Sequence, residues 1–247
     1  MRLASLLFLV GAVPALAAPP PRCEGEVAQD TIVRIEGRDD LATASGRLFK
    51  LADVRLAEGA TARLASLVGE AVAVQVAGGR DRWGRLPARV VLARDGTDLA
   101  TLLLGEGLAL VDVGEADGLC RPALLAAEAE ARAAWRGAWG SVLVPADDPE
   151  AVAALAGGFA VVEGRVVGIG ERARWTYVNF GRDFRRDFAV SISKRNWEAM
   201  RRAGLTAEML KGRRIRVRGI VEMRRAPGME ITSADMIERD VEPAAAR

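Results

Sequence analysis

FKLADVRLAEG, residues 49–59, is the stretch on which the reading of this chain turns. Phe49 and Leu51 flank Lys50 in the alternation of a half-buried strand, and the segment runs on through Asp53, Arg55 and Glu58. A second charged stretch, RDRWGR at residues 80–85, lies in the loop 78–85 between two strand patterns at 71–76 and 86–93. Outward from these, residues 27–36 alternate as a strand. Residues 41–43 and 48–51 flank Ser45-Gly46, a hairpin turn. Residues 61–68 form a short helix pattern. Residues 98–107 carry leucines at helical spacing behind Asp98, a residue suited to N-capping. Residues 122–135 are an alanine-rich helix with Pro122 near its first turn. A strand meander followed by helices predicts an α+β, mostly β fold built on a small OB-type barrel.

Composition narrows the chemistry. A chain of 247 residues, half of them hydrophobic, holds one large or two ordinary packed domains. The net charge of +2 hides an asymmetry: residues 3–158 carry 15 basic and 21 acidic side chains, residues 159–240 carry 18 and 11. Only the second half has the basic excess that suits phosphate chains. The absence of histidine excludes Ser-His-Asp and Cys-His catalysis, histidine metal sites and histidine general bases. Two cysteines are too few for a thiolate zinc site, so any catalysis rests on carboxylates, arginines, lysines or an oxygen-ligated metal.

Residues 1–17 have a basic start, an apolar run and small residues at Ala15 and Ala17, the pattern of a cleaved signal peptide; a membrane anchor is the alternative. Export places the protein in the periplasm or outside the cell, without a stable membrane span after cleavage. Cys23 and Cys120 are then expected to pair, and such a bridge contributes up to about 5 kcal/mol in the chain-entropy model. Two separate buried thiols are the other reading.

The charged stretches also carry a family resemblance. Arg38-Asp39-Asp40, the segment from Lys50 to Glu58, Asp81-Arg82-Trp83-Gly84-Arg85, the AEAEAR run at residues 127–132 and Gly137-Ala138-Trp139 follow the order and spacing of a thermonuclease-type, staphylococcal-nuclease-like domain. The resemblance implies a domain over residues 23–140 and calcium-dependent phosphodiester hydrolysis. In that chemistry two aspartates hold the metal, a glutamate handles the attacking water, and arginines neutralise charge on the phosphate. Carried over by position, Asp39 is a metal ligand, Glu58 the water-handling carboxylate and Arg85 a phosphate arginine. The other arginine becomes Lys50, which keeps the charge but not the bidentate fork. The second metal aspartate becomes Arg55. A register shifted by three residues puts Ala52 and Arg55 at the carboxylate positions and restores nothing. The expectation is a degenerate site without a cofactor, calcium being the metal of an active one.

Residues 141–158, with Pro145 and the acidic cap at 147–150, read as a linker. Strand patterns at 159–167, 175–180, 188–192, 215–221 and 229–232, with helices at 194–203 and 207–210, predict a second OB-like barrel over 159–240. Val167-Gly168-Ile169-Gly170 leads to a strand and not a helix, which excludes a dinucleotide fingerprint. Trp175 and Tyr177 with Arg213, Arg214 and Arg216 suit single-stranded nucleic acid, rings for bases and guanidiniums for phosphates. Core aromatics under a solvated arginine surface is the alternative. Three functions stay open: a degenerate nuclease binding nucleic acid or an acidic envelope polymer; a working phosphodiesterase that recruits Asp53 or Asp40; and a structural envelope protein with a protein partner.

Overall fold

The computed structural model describes residues 25–37, 39–114, 118–239 and 241. The expected signal peptide and Cys23 lie outside the described residues, as does Arg38. The fold is mostly β with a few helices. Strands β1 (Val27–Glu36), β2 (Asp40–Thr43), β3 (Leu48–Leu51), β5 (Ala71–Val76) and β6 (Leu86–Leu92) close into a barrel in the order β1-β2-β3-β6-β5. A single long strand closes it. The first half of β1 pairs with β5, from Val27 opposite Gln75 to Thr31 opposite Ala71. Its second half turns to β2, and the register shifts between Ile32 and Arg34. β3 and β6 are parallel, with Phe49 opposite Leu86, so the chain must cross over between them. The crossover carries β4 (Val54–Leu56), α1 (Ala60–Ala65) and β5.

Inside the barrel, Ile32, Phe49, Val72 and Leu92 are fully buried. They meet α2 (Leu99–Gly105), whose expected cap forms: the Asp98 side chain accepts from the Thr101 N–H at 3.0 Å. β7 (Ala109–Val111) pairs with β4, and α3 (Leu124–Ala133) lies against α2. Gly107 and Gly137 bring two backbones together, the Ala138 N–H donating to the Gly107 carbonyl at 3.0 Å. A Cβ on Gly137 would lie 2.3 Å from that carbonyl oxygen, so the G-x-W turn requires its glycine. It seats Trp139, fully buried beside Leu110, Ala131 and Val161.

The segment 141–158 is structured. β8 (Leu143–Pro145) pairs in parallel with β9 (Phe159–Arg165), and α4 (Pro149–Ala153) starts at Asp148, whose side chain accepts from the Ala151 N–H. Beyond it come β10 (Gly168–Glu171), β11 (Trp175–Asn179), β12 (Ala189–Ser193), α5 (Lys194–Arg202), α6 (Ala207–Leu210), β13 (Arg214–Met223), β14 (Pro227–Glu230) and β15 (Ile237–Glu238). The strands form one sheet in the order β10-β11-β12-β14-β13-β9-β8, with β15 on β13. A second closed barrel was expected here. The hydrogen-bonded path instead runs open from β10 to β8, although its connectivity repeats the first. β12 and β14 are parallel, and the consecutive segments β9 and β10 pair with β13 and β11 respectively, as the two halves of β1 do with β5 and β2.

The two halves share one apolar core running from Ile32 to Ile237. They are also joined by ions. Arg218 on β13 is buried and donates to the Val111 carbonyl at 3.0 Å, to both carboxylate oxygens of Glu128 on α3 and to Glu238. Burial pushes the Glu128 carboxyl up and Arg218 opposes it. Among the described residues no helix is long and apolar enough to cross a membrane.

Candidate functional site

The turn at 81–85 locks itself. One Asp81 oxygen accepts from the backbone N–H groups of Trp83 at 3.0 Å and Arg85 at 2.9 Å, while Gly84 takes the positive φ of 79° that the turn needs. The other oxygen accepts from Arg85 Nε at 2.8 Å. Arg85 Nη1 reaches Asp40 Oδ1 at 3.1 Å, and Lys50 Nζ lies 3.8 Å from Asp81. Burial acts upward on Asp81, but the Arg85 N–H and guanidinium and the Trp83 N–H hold it below the usual carboxylate range. Asp40 is pushed up by burial, which Arg85 only partly offsets. Trp83 stands 58% exposed at the rim, with the guanidiniums of Arg82 and Arg85 at 4.0 and 4.8 Å from its ring.

A cleft of about 770 Å³ opens between this turn and the strand after Phe49. Asp39, Lys50, Arg55 and Arg85 line it, so the fold brings together four of the five residues singled out from sequence. Glu58 does not line it. It is exposed in the turn before α1. Arg55 on β4 donates from Nε to Asp112 Oδ2 at 2.9 Å, and its guanidinium lies 5.2 Å from the ring of Phe159 on β9. Arg55, which the resemblance sets at a metal-aspartate position, links the first domain to the second sheet. Asp53 holds a positive φ of 66° and turns inward, accepting from the N–H groups of Cys120 and Arg121 at 2.8 Å each. Burial raises its pKa despite these bonds and the Arg121 guanidinium. Cys120 is buried at the same spot; its expected partner Cys23 lies outside the described residues.

Residues 49–141 match the family model of the staphylococcal nuclease homologue. The chain thus carries a staphylococcal-nuclease-like domain, an OB-fold, from β3 through the turn that seats Trp139. No curated protein matches the chain. Of the cleft carboxylates only Asp39, the expected metal ligand, has no ion pair or hydrogen bond among the described residues. Asp40 and Asp81 are bonded to Arg85, Asp112 to Arg55, and both Asp53 oxygens to backbone N–H groups. Among the described residues no three carboxylate or thiol side chains are grouped to hold a cation.

In the second half, Trp175 and Tyr177 share the outward face of β11, since Thr176 between them and Val178 after them are buried. Arg213 is exposed ahead of β13. Arg214 pairs with Glu163 at 3.1 Å. Arg216 departs from its expected role: it is 8% exposed and held by Glu163 at 2.7 Å, so it presents no guanidinium to a polyanion. Sequence reading missed Asp81 and Asp112 as partners of the cleft arginines. The D-x-x-G-R spacing of an Asp-led turn was the available signal for the first; nothing local marked the second.

Proposed function

We propose that this chain is an exported, catalytically degenerate nuclease-like protein that acts by binding nucleic acid or another envelope polyanion. In this reading residues 1–17 are a signal peptide and the mature protein is periplasmic or secreted, with Cys23 and Cys120 bridged. The nuclease-like domain occupies 23–140, the connecting segment 141–158, and a basic OB-like domain 159–240. The repeated strand connectivity supports the OB-like description of the second domain.

The observation that carries the reading is Arg55. It puts a fixed positive charge in the cleft and satisfies it with Asp112 at 2.9 Å. The cleft keeps Lys50, Arg55 and Arg85, the groups that attract phosphate, while Asp81 is spent on Arg85, Asp112 on Arg55 and Asp53 on backbone N–H groups, which leaves Asp39 as its one carboxylate without an ion pair among the described residues. Hydrolysis at neutral pH would need a free carboxylate set to hold a cation and ready a water. The test is incubation of purified protein with single-stranded DNA in calcium. Binding that weakens steeply with salt, with the DNA left intact, is expected. Calcium-dependent cleavage abolished by a chelator would refute the degenerate reading.

A further inference from the structure

The outer face of the second sheet has a relief suited to flat rings. Across the ladder, Tyr177 stands between Gly170 on β10 and Ser191 on β12. One row along, Asn179 stands between Gly168 and Ala189, and Ala189 faces Gly228 on β14. A single 38% exposed tyrosine thus rises from a floor of glycines and short side chains. A Cβ on Gly168 or Gly170 would meet no atom within 4 Å, so the floor opens onto free space. The resulting groove is about 850 Å³, and Phe184, 71% exposed, lies at its edge. Its rim is basic. Arg172, Arg182 and Arg225 line it, and none of them forms an ion pair among the described residues. The acidic groups facing the groove are engaged: Glu222 pairs with Arg224 at 3.0 Å, and Asp187 accepts from the Asp183 N–H at 2.8 Å.

We propose that this groove binds single-stranded nucleic acid, with bases against Tyr177 and Phe184 and phosphates on Arg172, Arg182 and Arg225. The proposal rests on the polyanion-binding reading above and assigns it a place and a ligand. Every base has a face to stack, while glycines leave room for a ring to approach the backbone beside Tyr177. Paired bases hide those faces, and an acidic glycan has no aromatic ring to offer. The site differs from the one expected from sequence: Arg214 and Arg216 belong to the ion pairs with Glu163, and the rim arginines lie on three turns around the groove.

The test is fluorescence anisotropy of labelled oligo(dT), an abasic strand of the same length and heparin, with thermal melts to establish that each variant folds. Tyr177→Ala is expected to weaken oligo(dT) binding roughly tenfold and to leave the abasic strand unchanged. Arg182→Ala with Arg225→Ala should reduce the salt slope of log K by about 1.4. Gly170→Val, whose Cβ has no protein atom within 4 Å and whose methyls fill the floor beside Tyr177, should weaken binding as Tyr177→Ala does. Lys50→Ala with Trp83→Ala, in the barrel cleft, should have the smaller effect. If the barrel pair removes binding and the groove variants do not, the groove assignment is overturned and polyanion binding survives. Equal binding of heparin and the abasic strand, insensitive to Tyr177→Ala, overturns the nucleic-acid assignment. Failure to bind any of the three polyanions overturns both readings.

Discussion

Replacing Arg55 by aspartate tests whether one charge separates this cleft from a metal site. At about 4 Å in water's dielectric, a unit charge pair is worth about 1 kcal/mol, and burial makes it larger. Changing +1 to −1 beside a doubly charged ion is a swing of about 4 kcal/mol, or roughly a thousandfold in affinity. The water value is the appropriate floor because the Arg55 side chain is 45% exposed. The substitution also removes the Asp112 ion pair and the contact with Phe159, which together should cost about 1–2 kcal/mol of stability. Calorimetric titration with calcium is the assay, supported by melting curves with and without the ion. Arg55→Asp should bind calcium measurably where the natural chain does not, and calcium should recover part of its lost melting temperature. If Arg55→Asp binds calcium no better than the parent, charge at this position is not the obstacle. The capture of Asp40 and Asp81 by Arg85 would then be the cause.

Arg218→Met should cost about 3–5 kcal/mol in urea unfolding, because it leaves Glu128, at 0% exposure, with only the more distant Arg132 at 3.7 Å as countercharge; adding Glu128→Gln should recover part of the loss. A cost below about 1 kcal/mol would show that the join does not depend on this network. Asp30 should make stability pH-dependent. Burial acts upward on its carboxyl, but the hydroxyls of Ser45 and Thr43 and the N–H groups of Thr31 and Ser45 bring it from 3.8 down to about 2. Because the folded value is the lower one, its contribution of about 1–2 kcal/mol is present above pH 4 and lost as pH falls through 2. The stability gap to Asp30→Asn should therefore close over that window. Gly137→Ala should destabilise by at least about 2 kcal/mol, since its Cβ would lie 2.3 Å from the Gly107 carbonyl at a positive φ of 52°. An unchanged melting temperature would contradict that packing.

Local pattern and long-range contact divide what was legible. The strands at 27–36 and 71–76, the hairpin at Ser45-Gly46 and the cap at Asp98 were all readable, because alternation, turn chemistry and capping act over a few residues. The meeting of Lys50, Arg55 and Arg85 in one cleft was implied by the resemblance of the two charged stretches to a nuclease-like domain. Glu58 was placed in the site by the same resemblance and yet does not line the cleft, being exposed in the turn before α1.

The sequence by itself determined that residues 49–59 belong to a nuclease-like domain, that histidine chemistry is absent, and that Arg55 stands where the resemblance places a metal aspartate. What Arg55 does there was decided only by tertiary structure. Its partners, Asp112 and Phe159, lie 57 and 104 positions along the chain. In the same way Arg216 read as part of a basic surface until folding set Glu163 and Glu238 beside it. Composition fixes how many charges a chain carries. Only the packing of one half on the other determines which of them are neutralised in the interior and which remain to meet a ligand.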